Sequence, residues 1–452
     1  MKKGDNIMLN RREFLKTSTL AAAGTGLALS FPQFTRGNVP ASDKIKIALI
    51  GGRNMGWSNL ETFLTFPEVE CVAICDIDDE WLYKRATDTE KLTGKKPPFL
   101  YKDWRKVMDN KDVDAVIVAS PDHWHCLQTT SACESGKDVY CEKPLANSIA
   151  ECDVMVQTAR KYNRIVQVGQ WQRSDQHWED AMAFVHSGKL GKIRTVKVWA
   201  YMIWKKTLPV QPDGEAPAGA DYKMWLGPAP HRPFNPNRFH YNFRYFWDYA
   251  GGLMSDWGVH LLDYALWGMN VDLPSMVTTA GGKFAYPDDA METPDTLLVS
   301  YIYDNFTITW DHACGIADGP YGREHGLAFL GENGTLILDR NGWEVKPEID
   351  SAPRMEAIPF QGPSAKVEGA QVAEGGLKAH IRNFLECMKS RQLPNADVAI
   401  GAKIAKMTHL SNVSCRIGKP VHWDNAQNRF LEDEANGLIK PEYTNPWAFP
   451  NL

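Results

Sequence analysis

Lys143, in Glu142-Lys143-Pro144, closes the strand-like run Lys137-Asp138-Val139-Tyr140-Cys141, and far downstream Asp256 and His260 stand at helical spacing in SDWGVHLLD. A lysine, a carboxylate and an imidazole gathered beside a nucleotide fold can take a proton from a hydroxyl while a hydride leaves its carbon. That combination points to an oxidoreductase. On a helix, residues 256, 260, 263 and 264 share a face, which brings Asp256 and Asp263 within reach of the His260 ring. Two carboxylates raise an imidazole pKa and the positive end of a helix lowers it, so His260 is expected to titrate in the neutral range. The plain alternative is an exposed Asp/His pair with no chemistry, and the Lys143 context weighs against it.

The elements that would position these groups alternate strand and helix. A β-rich run over 44–50 leads into Gly51-Gly52-Arg53-Asn54-Met55-Gly56, with a helix expected over 57–66 and a second strand over 69–74 ending at Asp76. Strand, glycine turn, helix and an acid at that distance are the parts of a dinucleotide site, in which the turn cradles the pyrophosphate and Asp76 holds the adenosine ribose. Arg53 occupies the place of the middle glycine, and either shifts that close approach or puts its guanidinium on the phosphate. Asp78 and Asp79 would repel a 2′-phosphate, so the cofactor expected is NAD, held by Gly51, Arg53, Asn54, Met55, Gly56 and Asp76.

The next apolar run, 113–119, ends in Ser120-Pro121-Asp122-His123-Trp124-His125, and a helix follows over 127–135. Ligands collect beyond the C-terminal ends of parallel strands, which adds Ser120, Pro121, His123, His125, Glu142 and Lys143 to the cofactor contacts and Trp124 to the substrate contacts. For the two histidines, loop residues capping a helix are an equal alternative. A helix over 149–162 and a strand over 165–169 would complete a doubly wound parallel sheet, after which Trp171, Gln172 and Arg173 are placed to line a domain cleft.

With 452 residues, 44% hydrophobic and 23% charged, the chain can bury a sizeable core and divide into domains. A net charge of −5 without a basic block disfavours nucleic acid and anionic membranes as partners and leaves small molecules. The 16 tryptophans and 15 tyrosines suit stacking on sugar rings, though aromatic side chains mostly serve packing. Asn10-Arg11-Arg12-Glu13-Phe14-Leu15-Lys16 ahead of a short apolar stretch resembles a twin-arginine export signal, with 1–42 as signal and linker; a disordered basic arm is the alternative. No later segment has the length of a membrane helix, and export gives a periplasmic or secreted location. The nine cysteines are scattered without Cys-x-x-Cys spacing and read as buried small hydrophobes, with no metal site expected.

The glycine turn, Asp76, Ser-Pro-Asp-His-Trp-His, Val-Tyr-Cys-Glu-Lys-Pro and Gly-Gly-Leu-Met-Ser-Asp-Trp-Gly-Val-His occur in the order seen in the Gfo/Idh/MocA family, which includes glucose-fructose oxidoreductase and inositol dehydrogenase. The resemblance covers nearly all of the chain after the signal, and Arg53 is its clear departure. It implies a Rossmann domain over 43–170 and an α+β domain with a large open, mainly antiparallel sheet over 171–452. It further implies that Lys143 lies against the nicotinamide and the substrate hydroxyl, that His260 accepts the proton and Asp256 orients the site, and that the open sheet packs a homodimer or homotetramer.

Strands are expected over 195–201, 296–303, 307–312 and 334–338, and long helices over 377–390 and 400–417. Between the first two strands, residues 204–249 are rich in both proline and aromatics and read as a substrate-binding loop, with Tyr241 and Arg244 as its contacts. The resulting expectation is an exported NAD-dependent enzyme acting on a hydroxyl of a sugar, polyol or glycoside, its cofactor tightly bound and recycled in place. Two alternatives remain: a redox-neutral glycosidase working by oxidation, elimination, addition and reduction, and a non-catalytic carbohydrate-binding protein.

Overall fold

The computed structural model describes residues 44–349, 355–362 and 372–451, so the proposed signal over 1–42 lies outside the described residues. The N-terminal sheet is built from β1 (Ile45–Ile50), β2 (Val69–Cys75), β3 (Phe99–Tyr101), β4 (Ala115–Val118), β5 (Asp138–Cys141) and β6 (Val166–Val168). All its strands are parallel, in the order β3-β2-β1-β4-β5-β6. Continuous apolar strands such as Ala-Val-Ile-Val in β4, buried on both faces, are what a doubly covered parallel sheet requires. The order reverses between β1 and β4, and the crevice at the ends of those two strands is where such sheets bind nucleotides.

Helices α1 (Asn54–Phe63), α2 (Asp79–Thr93), α3 (Arg105–Asp109), α4 (Asp122–Glu134) and α5 (Ile149–Lys161) connect the strands. α1 starts directly out of the glycine turn, ahead of the expected 57. α4 also starts early, at Asp122, so His123, Trp124 and His125 form its first helical turn and are not loop residues. Pro121, extended at φ −58° and ψ 153°, and the acid at the first helical position favour that start, while the aromatic residues hide the apolar period. α5 begins with a box in which Ser148 Oγ accepts the Glu151 N–H and Glu151 accepts the Asn147 N–H.

The chain leaves through the 3₁₀ turn Trp171–Ser174 and α6 (Gln176–His186) into β7 (Thr195–Met202). The segment 204–249 carries only α7 (Tyr222–Leu226) and the 3₁₀ turn His240–Tyr245, and it leads into α8 (Gly252–Met269). Then come β8 (Met276–Gly282), β9 (Thr296–Ile302), β10 (Thr307–Cys314), β11 (His325–Leu330), β12 (Gly334–Asp339), β13 (Gly342–Pro347) and β14 (Ile358–Gln361). After α9 (Val372–Ser390) and α10 (Val398–Ile417), β15 (Val421–Asp424) and β16 (Arg429–Phe430) finish a ten-stranded sheet ordered β14-β13-β12-β11-β7-β10-β9-β8-β15-β16. Within it β7 and β10 pair in parallel and the other neighbours are antiparallel.

The sheet buries one face against α8 and α10, where Leu261, Leu262, Leu410 and Val413 meet Val196, Val198 and Trp310 in one core. α9 turns back to the first domain, and Phe384 lies edge to face with Phe63 and Tyr140 at 5.9 Å. Strands β8, β11 and β13 were not expected from the sequence; each carries a glycine or a polar interruption that weakens its alternation. The nine cysteines are all unpaired, eight of them buried. No helix among the described residues is long and apolar enough to cross a membrane.

Candidate active site

The glycine turn is closed by contact. Gly51 has φ +89°, and a Cβ on it would meet the Ala119 carbonyl oxygen at 2.5 Å. A Cβ on Gly56 would lie 1.9 Å from the Gly51 carbonyl oxygen, so α1 can approach β1 only with glycine there. The helix has no side-chain cap, which leaves its first N–H groups free for an anion. Asp76 accepts the Gly52 N–H at 2.8 Å and the Asp78 N–H at 3.1 Å, which fixes its plane and leaves further lone pairs for ribose hydroxyls. Burial pushes its carboxyl upward against those two donors. These features fit a dinucleotide. The Arg53 guanidinium stacks 4.4 Å over the Trp81 ring, in the field of Asp76, Asp78 and Glu80.

A single cavity runs from this turn to Lys143. It is lined by Gly51, Arg53, Asn54, Met55, Gly56, Asp76, Ser120, Pro121, His125, Glu142 and Lys143, and by Trp124, Tyr241, Arg244 and Asp256. His123 stands outside it, its Nε2 3.0 Å from the Trp225 carbonyl and its ring against Tyr249. His125 is held between the carbonyl oxygens of Pro144 and Ser120, each at 2.8 Å. Trp124 is part of the wall, with no face open for a sugar: Gly227 at φ +52° lies flat on it, and a Cβ there would come within 2.1 Å of the ring. The arm beyond Trp423, in which the sequence shows no chemistry, reaches the same wall. Trp447 meets Trp124 edge-on at 4.8 Å and stacks on Trp104 at 6.0 Å, and Tyr443 donates to Glu151 at 2.5 Å.

Lys143 projects from the end of β5. Glu142 is fixed by the Asn59 amide at 2.7 Å and accepts the Lys143 N–H at 3.2 Å, which sets the direction of the next side chain. The Lys143 ammonium donates to Asp256 Oδ1 at 2.7 Å and to the Asp256 carbonyl at 3.1 Å, while Arg244 donates to Oδ2 at 2.8 Å. Burial raises the Asp256 carboxyl, but Arg244 and Lys143 together hold it well below the usual carboxylate range. Asp122, facing the same groups, is pushed up to about 8 by burial and by the charge of Asp256.

His260 does not itself line the cavity, and its charge state differs from the expectation drawn from the sequence. Asp256 is taken by Lys143 and Arg244, and Asp263 by a two-pronged pair with Arg173 at 2.6 to 3.0 Å, so neither carboxylate bonds to the imidazole. Burial first, then the charges of Lys143 and Arg340, lower its pKa well below 6.5, so the ring is neutral at neutral pH. Trp171, Gln172 and Arg173 do not line the cavity. They gather on the sheet side of α8, where Gln172 Oε1 accepts Nε and Nη2 of Arg340 at 3.3 Å and Trp171 packs on the same guanidinium.

Several lining residues carry no signal that a local pattern would flag: Lys102, Gln128, Met224, Trp225 and Phe243. His240 is another, reaching back from the insertion to Asp78 at 2.8 Å. Asp122 could have been found, since it stands inside the quoted Ser-Pro-Asp-His run.

Two family profiles match in tandem and together span more than half of the 452 residues: an oxidoreductase-family NAD-binding Rossmann fold over 45–170, and the family's C-terminal alpha/beta domain over 184–311. The chain belongs to the Gfo/Idh/MocA oxidoreductase family. NAD is thus the cofactor of its Rossmann domain, and solved relatives carry NADH or NAD+. Among curated relatives of this Gfo/Idh/MocA chain, a glycosyl hydrolase family 109 protein of Akkermansia muciniphila is 33% identical over 125 residues, 27% of this chain and 26% of the relative. A Shewanella pealeana protein of that name is 32% identical over 34% of this chain and 37% of its own length. The chain therefore matches roughly a quarter to a third of those relatives. An uncharacterized oxidoreductase of Bacillus subtilis, YrbE, is 26% identical over 68% of this chain and 77% of its own. The fold is shared with levoglucosan dehydrogenase in complex with NADH and levoglucosan, at TM-score 0.64, 18% identity and 84% and 99% coverage of the two chains. It is also shared with aldose-aldose oxidoreductase from Caulobacter crescentus, at 0.60, 20%, 84% and 99%.

Proposed function

We propose that this chain is an exported NAD(H)-dependent oxidoreductase acting on a hydroxyl of a sugar, polyol or glycoside, with a cofactor that stays bound and is recycled in place. The observation that carries this reading is the Lys143 ammonium, pinned at 2.7 Å on Asp256 in the wall of a cavity whose far end is the glycine turn and Asp76. NAD, when bound, supplies the hydride acceptor; the turn, the first N–H groups of α1 and Asp76 would hold it. Neutral His260 takes the hydroxyl proton, and Lys143 donates a hydrogen bond to the oxygen as charge builds on it. Asp256 and Arg244 keep the lysine in place. The twin arginine at 11–12 supports export, and a compartment without an ample soluble NAD pool calls for a retained cofactor. The open sheet offers a surface for a homodimer or homotetramer.

A second reading has its own support. The glycosidase-named relatives and Asp122 favour net glycoside hydrolysis through transient oxidation, because a carboxyl held protonated at neutral pH can protonate a departing glycosidic oxygen. A p-nitrophenyl glycoside incubated without added NAD separates the two. A keto-glycoside as product means oxidation, and free aglycone with intact sugar means hydrolysis. If the denatured protein releases no nicotinamide nucleotide and Lys143→Ala leaves activity unaltered, the enzyme reading fails and a carbohydrate-binding role takes its place.

A further inference from the structure

On the sheet side of α8 an arginine sits without a counter-ion. Arg340, in the turn after β12, lies between two indoles, 4.8 Å from the Trp257 ring and 5.4 Å from the Trp171 ring. Among the described residues no carboxylate pairs with it, because those nearby are engaged elsewhere. Asp339 pairs with Arg323, Asp263 with Arg173, and Asp256 with Lys143 and Arg244. Its hydrogen bonds to the described residues are two long ones to a single amide oxygen of Gln172. The two indoles attract the guanidinium through their ring faces but leave its N–H fork without an anion.

The polar groups beside it share the deficit. Gln172 Nε2, both ring nitrogens of His325 and the Tyr264 hydroxyl are buried and have no hydrogen-bond partner among the described residues. His325 packs against Trp257, its ring 5.1 Å away, and the His260 ring lies 6.2 Å from the same indole. Trp257, His325 and Arg340 are each partly exposed, while the unpartnered atoms of Gln172, His325 and Tyr264 are themselves buried. An amide N–H₂, a hydroxyl, a neutral imidazole and a guanidinium offer several donors, and the guanidinium edge matches a planar carboxylate.

From the unpaired guanidinium and its partnerless neighbours one turn from His260, we infer that Arg340, Gln172 and His325 form a carboxylate subsite, and that the substrate is an acidic sugar, such as a uronic acid or its glycoside. This rests on the proposed hydroxyl oxidation and names the substrate class for it. The carboxylate would sit at the sheet side of the ring while the reacting hydroxyl faces His260 and Lys143.

Calorimetry on the NAD-loaded protein with glucuronate, its methyl ester and glucose tests this at equilibrium. Glucuronate should bind at least about tenfold more tightly than the other two, since loss of one charge-assisted pair costs at least that factor. In Arg340→Gln the preference should fall below about twofold, with the unfolding midpoint as the control for folding. Arg340→Lys, which keeps a point charge but loses the fork, should retain only part of it, and decides the matter if the glutamine variant does not fold. Equal binding of the three sugars, or a full preference surviving either substitution, overturns the subsite. The nicotinamide absorbance of the same samples is read separately. Uronate binding without cofactor reduction refutes the oxidation reading alone, and reduction by neutral glycosides without a uronate preference refutes the subsite alone.

Discussion

Asp256→Asn should destabilise this protein more than Lys143→Met, although the two residues form one ion pair. Asp256 is the shared counter-ion: Lys143 holds one of its oxygens at 2.7 Å and Arg244 the other at 2.8 Å, and all three side chains are largely buried. Removing the lysine leaves the carboxylate paired with Arg244, a loss of about 1.5–3 kcal/mol for one charge-assisted bond. Removing the carboxylate charge leaves two cations facing each other with nothing between them, and breaking a buried pair in that way costs about 3–5 kcal/mol. The double variant keeps a single unpaired arginine and should fall between the two, so the coupling also lies between the two single effects, at about 1.5–5 kcal/mol. Urea unfolding of the three variants measures this, and reduction of the bound cofactor by a glycoside should drop by about 10²–10⁴-fold in each. If Asp256→Asn is as stable as Lys143→Met, or if the single effects simply add, Asp256 is not the common counter-ion and the account of the lysine fails.

Two further perturbations test the cofactor end and the arm. Gly56→Ala would place a methyl 1.9 Å from the Gly51 carbonyl oxygen, so the turn must open and the purified variant should carry little NAD; a full complement of nucleotide released on denaturation would refute the tight turn. Glu151, buried against Tyr443, is pushed up to about 7 from 4.5. A raised folded-state value means the folded protein holds the proton more tightly, so this contribution is complete below 4.5 and is lost as pH rises to about 7. The loss amounts to about 3 kcal/mol, and Glu151→Gln should flatten that slope in a pH series of urea midpoints; an unchanged slope assigns it to another group.

Strand and turn chemistry made the first domain legible from the sequence. The apolar runs before Gly51, Asp76, Ser120 and Lys143 each became a strand of the parallel sheet, because burial on both faces leaves an uninterrupted hydrophobic signal. That Lys143 meets Asp256 was implied by the family resemblance of their two motifs, since a strand end and a helix 113 residues apart are not paired by spacing. What escaped was electrostatic ownership. The helical spacing of 256, 260 and 263 is real, but Arg244 and Arg173, each from a 3₁₀ turn, claim the two carboxylates that spacing assigns to His260. Arg340 was invisible for a related reason: a lone arginine in a β-turn has no pattern, and its isolation shows only once every neighbouring acid has been matched.

The contact of Trp447 with Trp104 and Trp124 sets an order of events. Most of the cleft's lining comes from the first domain, yet the wall at Trp104 and Trp124 rests on Trp447, made about 300 residues later. A nascent chain can form the glycine turn and Asp76 early, but it meets the nucleotide with that wall unsupported until the arm arrives. Shortening the arm should show in how long the nucleotide stays, with little change in how fast it enters.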